Sequence, residues 1–291
     1  MNKILVTGAT GLLGSSLVPY LQMQGYSVLT QSLKNNADYL FDLSDSTKSF
    51  EFFQKIKPTI IINLVGLTSV ELCEERVDLA YLINTRTVEN IVDWIYKSHT
   101  QCYLIHISTD HIYDGLSLSL ENQVVLLNNY ALTKYAGELA AARVFGVILR
   151  TNFVGRSKAM HRDSLSDWVY KSIIIGKSVN VLDDVYFSPL SIEYLIQMIE
   201  MVIRIKPTGI YNIGSHNGMS KANFDFCFAE ELRLPTTCMN RINMGNANFL
   251  KAKRPKNMCM DSSKFERDLG VRLPNLRDLI KQIASEYDKH S

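Results

Sequence analysis

The sequence predicts an α/β protein, a Rossmann-type doubly wound parallel sheet with a smaller C-terminal lobe. Three observations predict it. Short apolar runs alternate with helix-length amphipathic segments through the first half of the chain. That alternation demands right-handed crossovers and helices on both faces of a parallel sheet. A glycine-rich turn joins the first apolar run to the first amphipathic segment, and residues 59–65 form a run rich in β-branched side chains, as in a strand buried on both faces.

In chain order, residues 3–7 read as the first strand. Residues 12–24 place Leu13, Leu17 and Leu21 at i, i+4 and i+8, a helical stripe. Pro19 lies inside it and should kink the helix or cost it a backbone hydrogen bond. Residues 26–30 and 39–43 read as strands, 50–57 as a helix and 59–65 as a strand. Residues 78–97 read as one long helix with Tyr81, Val88, Val92 and Ile95 on one side. A strand at 102–108, a helix at 130–143 and a strand at 147–151 follow.

Beyond Thr151 the alternation weakens. Helices are expected at 164–175, 192–203, 221–232 and 275–287, between turn-rich stretches holding Pro189, Pro207, Pro235 and Pro255. Strands at 179–182 and 209–213 are expected to return to the main sheet. Trp94 and Trp168 should bury against the helices that carry them, and Met198, Met201, Met258 and Met260 read as packing residues. There is no internal repeat and no low-complexity segment.

The chain has 291 residues, 46% hydrophobic and 21% charged, enough for one large domain or two small ones with a sizeable core. A disordered chain, a collagen and a small disulfide scaffold are excluded. Lys plus Arg is 31 against 29 Asp plus Glu, so neither nucleic acid nor an anionic membrane is expected as a partner. The five cysteines, Cys73, Cys102, Cys227, Cys238 and Cys259, are odd in number and hold no C-x-x-C pair. That fits a reducing compartment and argues against a zinc site. His99, His106, His111, His161, His216 and His290 show no metal-ligand spacing, and no metal is expected. The longest apolar runs, such as 60–67, fall short of the ~20 residues that span a bilayer. The first residues read as a strand rather than a leader, so a cytoplasmic protein is expected.

Gly8, Thr10, Gly11, Leu12, Leu13 and Gly14 lie between the first strand and first helix as G-x-x-G-x-x-G. Gly8 allows the tight turn, Gly11 lets the backbone approach a pyrophosphate, and Gly14 lets helix and strand pack closely. The helix N-terminus offers free N–H donors and a positive dipole end to phosphates. Residues 1–155 therefore read as a dinucleotide-binding domain, with 178–213 partly returning to it; 156–177 and 214–291 form the second lobe. After the second strand, where an acidic residue would favour NAD(H), the chain has Gln31, Ser32, Leu33 and Lys34. Lys34 could pair with a 2′-phosphate, which leans toward NADP(H). Asp42 is a candidate for the adenine amino group or for a helix N-cap.

Tyr130 and Lys134 stand at i and i+4 on one predicted helical face. An ammonium beside a phenol lowers its pKa and fits it to give a proton to a carbonyl oxygen. Ser108, Thr109 and Asp110 end a buried strand, and ligands of open α/β sheets bind at such carboxyl ends. Thr109 could hold a substrate oxygen or cap the turn. Arg241, Lys251, Lys253, Arg254 and Lys256 form a basic cluster, of which Arg254 suits a diphosphate.

Together, Gly8 to Gly14, residues 62–71, Asn84, Ile107 to Asp110, residues 130–138, residues 149–155, residues 184–190 and Arg254-Pro255-Lys256-Asn257 resemble the extended short-chain dehydrogenase/reductase superfamily, and within it the dTDP-4-dehydrorhamnose reductase family. The resemblance implies a reductase of a nucleotide-activated 4-keto-6-deoxy sugar. It implies that Thr109, Tyr130 and Lys134 form the catalytic group and that Lys134 also bonds the cofactor ribose. Asp42 and Leu43 would flank adenine, and Leu64, Val65 and Gly66 would line the path to the nicotinamide ribose. Thr68, Ser69, Val70, Asp110 and Phe153 would lie near the sugar. His111, Asn152-Phe153 and Glu71 depart from the family on that side of the site. A homodimer is compatible with it. A non-catalytic subunit similar to the methionine adenosyltransferase beta subunit, or an NAD-retaining epimerase or dehydratase, stays open as an alternative.

Overall fold

The computed structural model describes residues 3–34, 36–160, 162–247 and 250–288, so His161 and His290 lie outside the described residues. Seven parallel strands form the central sheet. They are β1 (Lys3–Thr7), β2 (Ser27–Ser32), β3 (Tyr39–Leu40), β4 (Ile60–Asn63), β5 (Tyr103–Thr109), β6 (Gly146–Thr151) and β11 (Gly209–Ile213). Their spatial order is β11-β6-β5-β4-β1-β2-β3. The order reverses beside β1, which leaves a crevice over the carboxyl ends of β1 and β4.

Side chains alternate faces along each strand. Ile4, Val6, Ile60, Ile62, Ile105 and Leu149 pack one face, against α1 (Gly14–Met23) and α8 (Ile192–Ile205). Leu5, Ile61, Leu104 and Ile148 pack the other, against α2 (Ser46–Ile56) and α5 (Thr87–Lys97). Both faces are covered, which is why these strands read as unbroken apolar runs. Leu13, Leu17 and Leu21 are all buried, and the helix runs through exposed Pro19.

Two departures from expectation lie in the segment before β5. Residues 78–97 are not one helix but the end of α4 (Val77–Tyr81), a π-helical turn at Leu82–Arg86 and α5, with a short helix α3 (Val70–Glu75) before them. The π turn inserts an extra residue and rotates what precedes it. Val88, Val92 and Ile95 therefore face the core while Tyr81 is 38% exposed. The helix α6 (Asn129–Ala141) then crosses this π turn closely: a Cβ at Gly137 would lie 2.4 Å from the Asn84 carbonyl oxygen.

The second lobe holds α7 (Leu165–Ile174), β8 (Val179–Leu182), α9 (Lys221–Glu231), β13 (Met239–Ile242), α10 (Ser263–Leu269) and α11 (Leu276–Asp288). The strand β11 joins the main sheet beside β6, as expected, but β8 does not: it pairs in parallel with β13. Short pairs β7 (Phe153–Val154) with β10 (Leu190–Ser191), and β9 (Tyr186–Phe187) with β12 (Met219–Ser220), tie the lobe together. Trp94 is buried, but Trp168 is 41% exposed, off the α7 face formed by Val169 and Ile173. Among the described residues, no helix is long and apolar enough to cross a membrane.

Candidate active site

The glycine turn is built as close packing requires. Gly8 sits at φ +69°, and a Cβ there would lie 3.0 Å from the backbone of Leu64 and Val65. A Cβ at Gly14 would lie 2.4 Å from the Ala9 carbonyl oxygen, so helix and turn could not approach with any larger residue. The buried Gln31 side chain braces the turn, accepting from the Gly8 amide at 3.4 Å and donating to the Phe41 carbonyl at 2.7 Å. Among the described residues, no acceptor is found for the amides of Leu12, Leu13 and Gly14. These amides and the absent Cβ atoms make a cradle that fits a pyrophosphate.

The remaining expected cofactor residues fall in different settings. Lys34 is exposed past the end of β2. Asp42 is exposed and accepts from the Ser44 amide at 2.8 Å. It is not the N-cap of α2, because Asp45, three residues on, takes that role by accepting from the Lys48 amide. Leu43 turns its side chain into the core and its carbonyl to Asn90. Leu64, Val65 and Gly66 run off the end of β4 beside the glycine turn. Below them a buried polar chain crosses three strands: Thr7 Oγ1 donates to Asn63 Oδ1 at 2.7 Å, and Asn63 Nδ2 lies 3.1 Å from His106 Nδ1. Burial and the nearby Lys134 charge hold His106 well below its ordinary pKa, so it is neutral.

Thr109, Tyr130 and Lys134 meet at the end of β5. Thr109 caps the short 3-10 turn Asp110–Ile112, accepting from the His111 amide at 3.1 Å. Its hydroxyl also lies beside Tyr130, which is buried with Val70, Cys73, Ala80 and Ala252. The Lys134 ammonium donates to the Ile107 carbonyl at 2.8 Å, and a Cβ at Gly66 would lie 3.9 Å from it. Lys134 therefore lies beside the β4 loop. Burial pushes Tyr130 upward, offset chiefly by Thr109, while Asp110 and Cys73 push it further up and Arg254 pulls it down. The Lys134 pKa falls to about 8, from burial, with Glu138 opposing. In this arrangement Lys134, bonded to the Ile107 carbonyl, is not among the groups that move the Tyr130 pKa.

On the sugar side, Thr68 is exposed and Ser69 caps α3 by accepting from the Leu72 amide at 3.3 Å. Val70 touches the cluster that buries Tyr130. Asp110 accepts from Asn152 Nδ2 at 2.7 Å, and burial raises its pKa to about 6. Phe153 is half-buried against the main core. Arg254 reaches Glu71 at 2.7 Å, joining the second lobe to α3.

Three roles were not read from the sequence. Asn84, on the π turn, clamps the β4 loop: Oδ1 accepts from the Leu67 amide at 2.7 Å, and Nδ2 donates to the Leu67 carbonyl at 3.2 Å. Glu138 and Arg150 form an ion pair at 2.6 Å, both 1% exposed, to which the Ser108 hydroxyl also donates. Lys221, at the start of α9, lies within electrostatic reach of Asp110 and His111.

The switch-point cradle after β1, with Thr109 at the end of β5 and Tyr130 and Lys134 on α6, defines a protein of the extended short-chain dehydrogenase/reductase superfamily. The family model described as RmlD substrate binding domain matches residues 1–289, and the chain belongs to that family. It is 26% identical over 299 aligned residues to a dTDP-4-dehydrorhamnose reductase of Aggregatibacter actinomycetemcomitans, covering 98% of this chain and 99% of that protein. Among solved structures, the dTDP-4-dehydrorhamnose reductase of Clostridium acetobutylicum superposes with a TM-score of 0.88 at 23% identity, covering 98% of this chain and 99% of the other. The dTDP-4-dehydrorhamnose reductase of Bacillus anthracis, in complex with NADP, superposes at 0.87 with 22% identity, covering 98% and 100%.

Proposed function

We propose that the protein reduces the 4-keto group of a nucleotide-activated 6-deoxy sugar, using NADPH or NADH. The observation that carries this is the pairing of the glycine cradle with Thr109, Tyr130 and Lys134, in a chain similar along its length to a dTDP-4-dehydrorhamnose reductase. The dinucleotide supplies the hydride when bound. Gly8, Thr10, Gly11, Leu12, Leu13 and Gly14 hold its pyrophosphate, Asp42 and Leu43 flank adenine, and Lys34 favours a 2′-phosphate. Leu64, Val65, Gly66 and Lys134 line the ribose next to the nicotinamide.

Tyr130 then has one task, to give its phenolic proton to the sugar O4 as charge develops there. At neutral pH the phenol is protonated before the step. Thr109 orients the oxygen. Lys134 positions the ribose. The sugar lies between the lobes, beside Thr68, Ser69, Val70, Asp110 and Phe153, and Arg254 meets its phosphates.

The test follows absorbance at 340 nm with a panel of nucleotide 4-keto-6-deoxy sugars and both cofactors. At least one pair should show stoichiometric cofactor oxidation. Tightly bound NAD with no net consumption would overturn the reading in favour of an epimerase or dehydratase. No turnover together with a stoichiometric enzyme partner would overturn it in favour of a regulatory subunit.

A further inference from the structure

The three side chains of the 3-10 turn after Thr109 part ways. Asp110 is held by Asn152 Nδ2 at 2.7 Å, and Ile112 is wholly buried with Tyr113 and Ala131. His111, between them, is only half-buried. Its amide donates to Thr109 Oγ1 at 3.1 Å. Its ring meets the Tyr130 ring edge-on, with 5.4 Å between centroids. The imidazole is thus fixed against both groups that the proposed reaction places on the sugar O4, yet that reaction gives it no part.

The two ring nitrogens stand in different settings. Only Nδ1 is shut away from solvent with no hydrogen-bond partner among the described residues. Burial, with the Lys221 and Arg254 charges, holds the ring neutral, its pKa down to about 3. A neutral imidazole carries a single N–H. A buried N–H with no acceptor is the costlier orphan, so Nδ1 keeps the bare lone pair and the proton sits on Nε2. The turn therefore presents one neutral donor, of fixed tautomer, beside the phenol.

A 4-keto-6-deoxy sugar offers few oxygens to that donor. In the proposed reaction O4 is already taken by the Tyr130 and Thr109 hydroxyls. Of the two carbons next to the keto carbon, C5 carries the methyl arm and C3 a hydroxyl. We propose that His111 Nε2–H donates to the sugar C3 hydroxyl, making His111 the residue that selects substrates oxygenated beside the keto carbon. This deepens the reading of the cleft as a keto-sugar reductase site and rests on it. The contact is made alike before and during hydride transfer, so it acts on substrate affinity more than on the chemical step.

Steady-state kinetics of the full chain test it on a matched pair, the best nucleotide 4-keto-6-deoxy sugar of the panel and its 3-deoxy counterpart. NADPH affinity is measured in parallel by calorimetry. His111→Phe keeps an aromatic ring against Tyr130 and loses the donor. It should raise KM for the 3-hydroxy sugar about 10-fold or more, with a smaller change in kcat. KM for the 3-deoxy sugar and NADPH affinity should stay close to those of wild type. His111→Gln, whose amide nitrogen can reach the place of Nε2, should recover most of the loss. His111→Asn, which reaches only the place of Nδ1, should not. If the phenylalanine variant does not fold, the glutamine and asparagine variants carry the same comparison. Equal losses on both sugars, no loss on the 3-hydroxy sugar, or equal behaviour of the glutamine and asparagine variants would overturn the role of His111. Wild-type protein that binds NADPH but oxidises it on no sugar of the panel would instead overturn the reductase reading itself.

Discussion

Tyr130 and Lys134 share a helical face, yet their side chains serve different neighbours. The phenol lies against Thr109 in an apolar cluster, and the ammonium is held by the Ile107 carbonyl. The spacing made the pair legible, because i and i+4 fix the face. Which acceptor takes the ammonium was not legible, because it depends on where a strand carbonyl arrives from another part of the chain. Asp110 shows the same limit. Its place at a strand end could be read, but its burial could not. Its folded pKa, about 6, lies above its ordinary 3.8. Its contribution to stability is therefore fully present below about pH 4 and is lost as pH rises through 6, by up to about 3 kcal/mol. Asp110→Asn should remove that loss. Urea melts of wild type and variant should diverge in the variant's favour between pH 4 and 7, and parallel curves would show that the carboxyl ionises freely.

Among the elements, the π turn at Leu82–Arg86 does most to shape the site. It presents Asn84 to the β4 loop and to the Thr133 hydroxyl at 3.1 Å, while Thr85 donates to the Thr133 carbonyl at 2.8 Å. Gly137 makes this crossing close enough, so Gly137→Ala should push the π turn and α6 apart. A loss of about 1–3 kcal/mol is expected from overpacking, with weaker cofactor binding as Asn84 and Lys134 shift. Thermal melts and NADPH titration check it, and a variant equal to wild type in both would mean that the crossing has slack. Strand β1 is bounded at Lys3–Thr7 as its apolar run indicates, because a buried strand and a glycine turn leave little freedom. The break within 78–97 was hidden, because one inserted residue shifts a helical stripe without interrupting it.

Across the whole molecule, the parallel sheet and its glycine cradle were legible because periodic burial on two faces writes itself into the sequence. The second lobe was less so. Its two-residue strands carry no period, and the pairing of β8 with β13 joins segments with no local cue. The buried Glu138–Arg150 pair binds α6 to β6, and Tyr113, which accepts from Arg150 at 2.6 Å, donates to Asn212 of β11 at 2.7 Å. Helix α6, the sheet and the returning strand are thereby fixed together. In the proposed reaction this frame holds a neutral phenol ready to protonate a sugar oxygen. The most direct measurement compares wild type with Tyr130→Phe in the 340 nm assay on the best keto-sugar, with NADPH affinity measured in parallel. The account predicts a fall in kcat of about 100-fold or more with cofactor affinity unchanged. Turnover near that of wild type would contradict it.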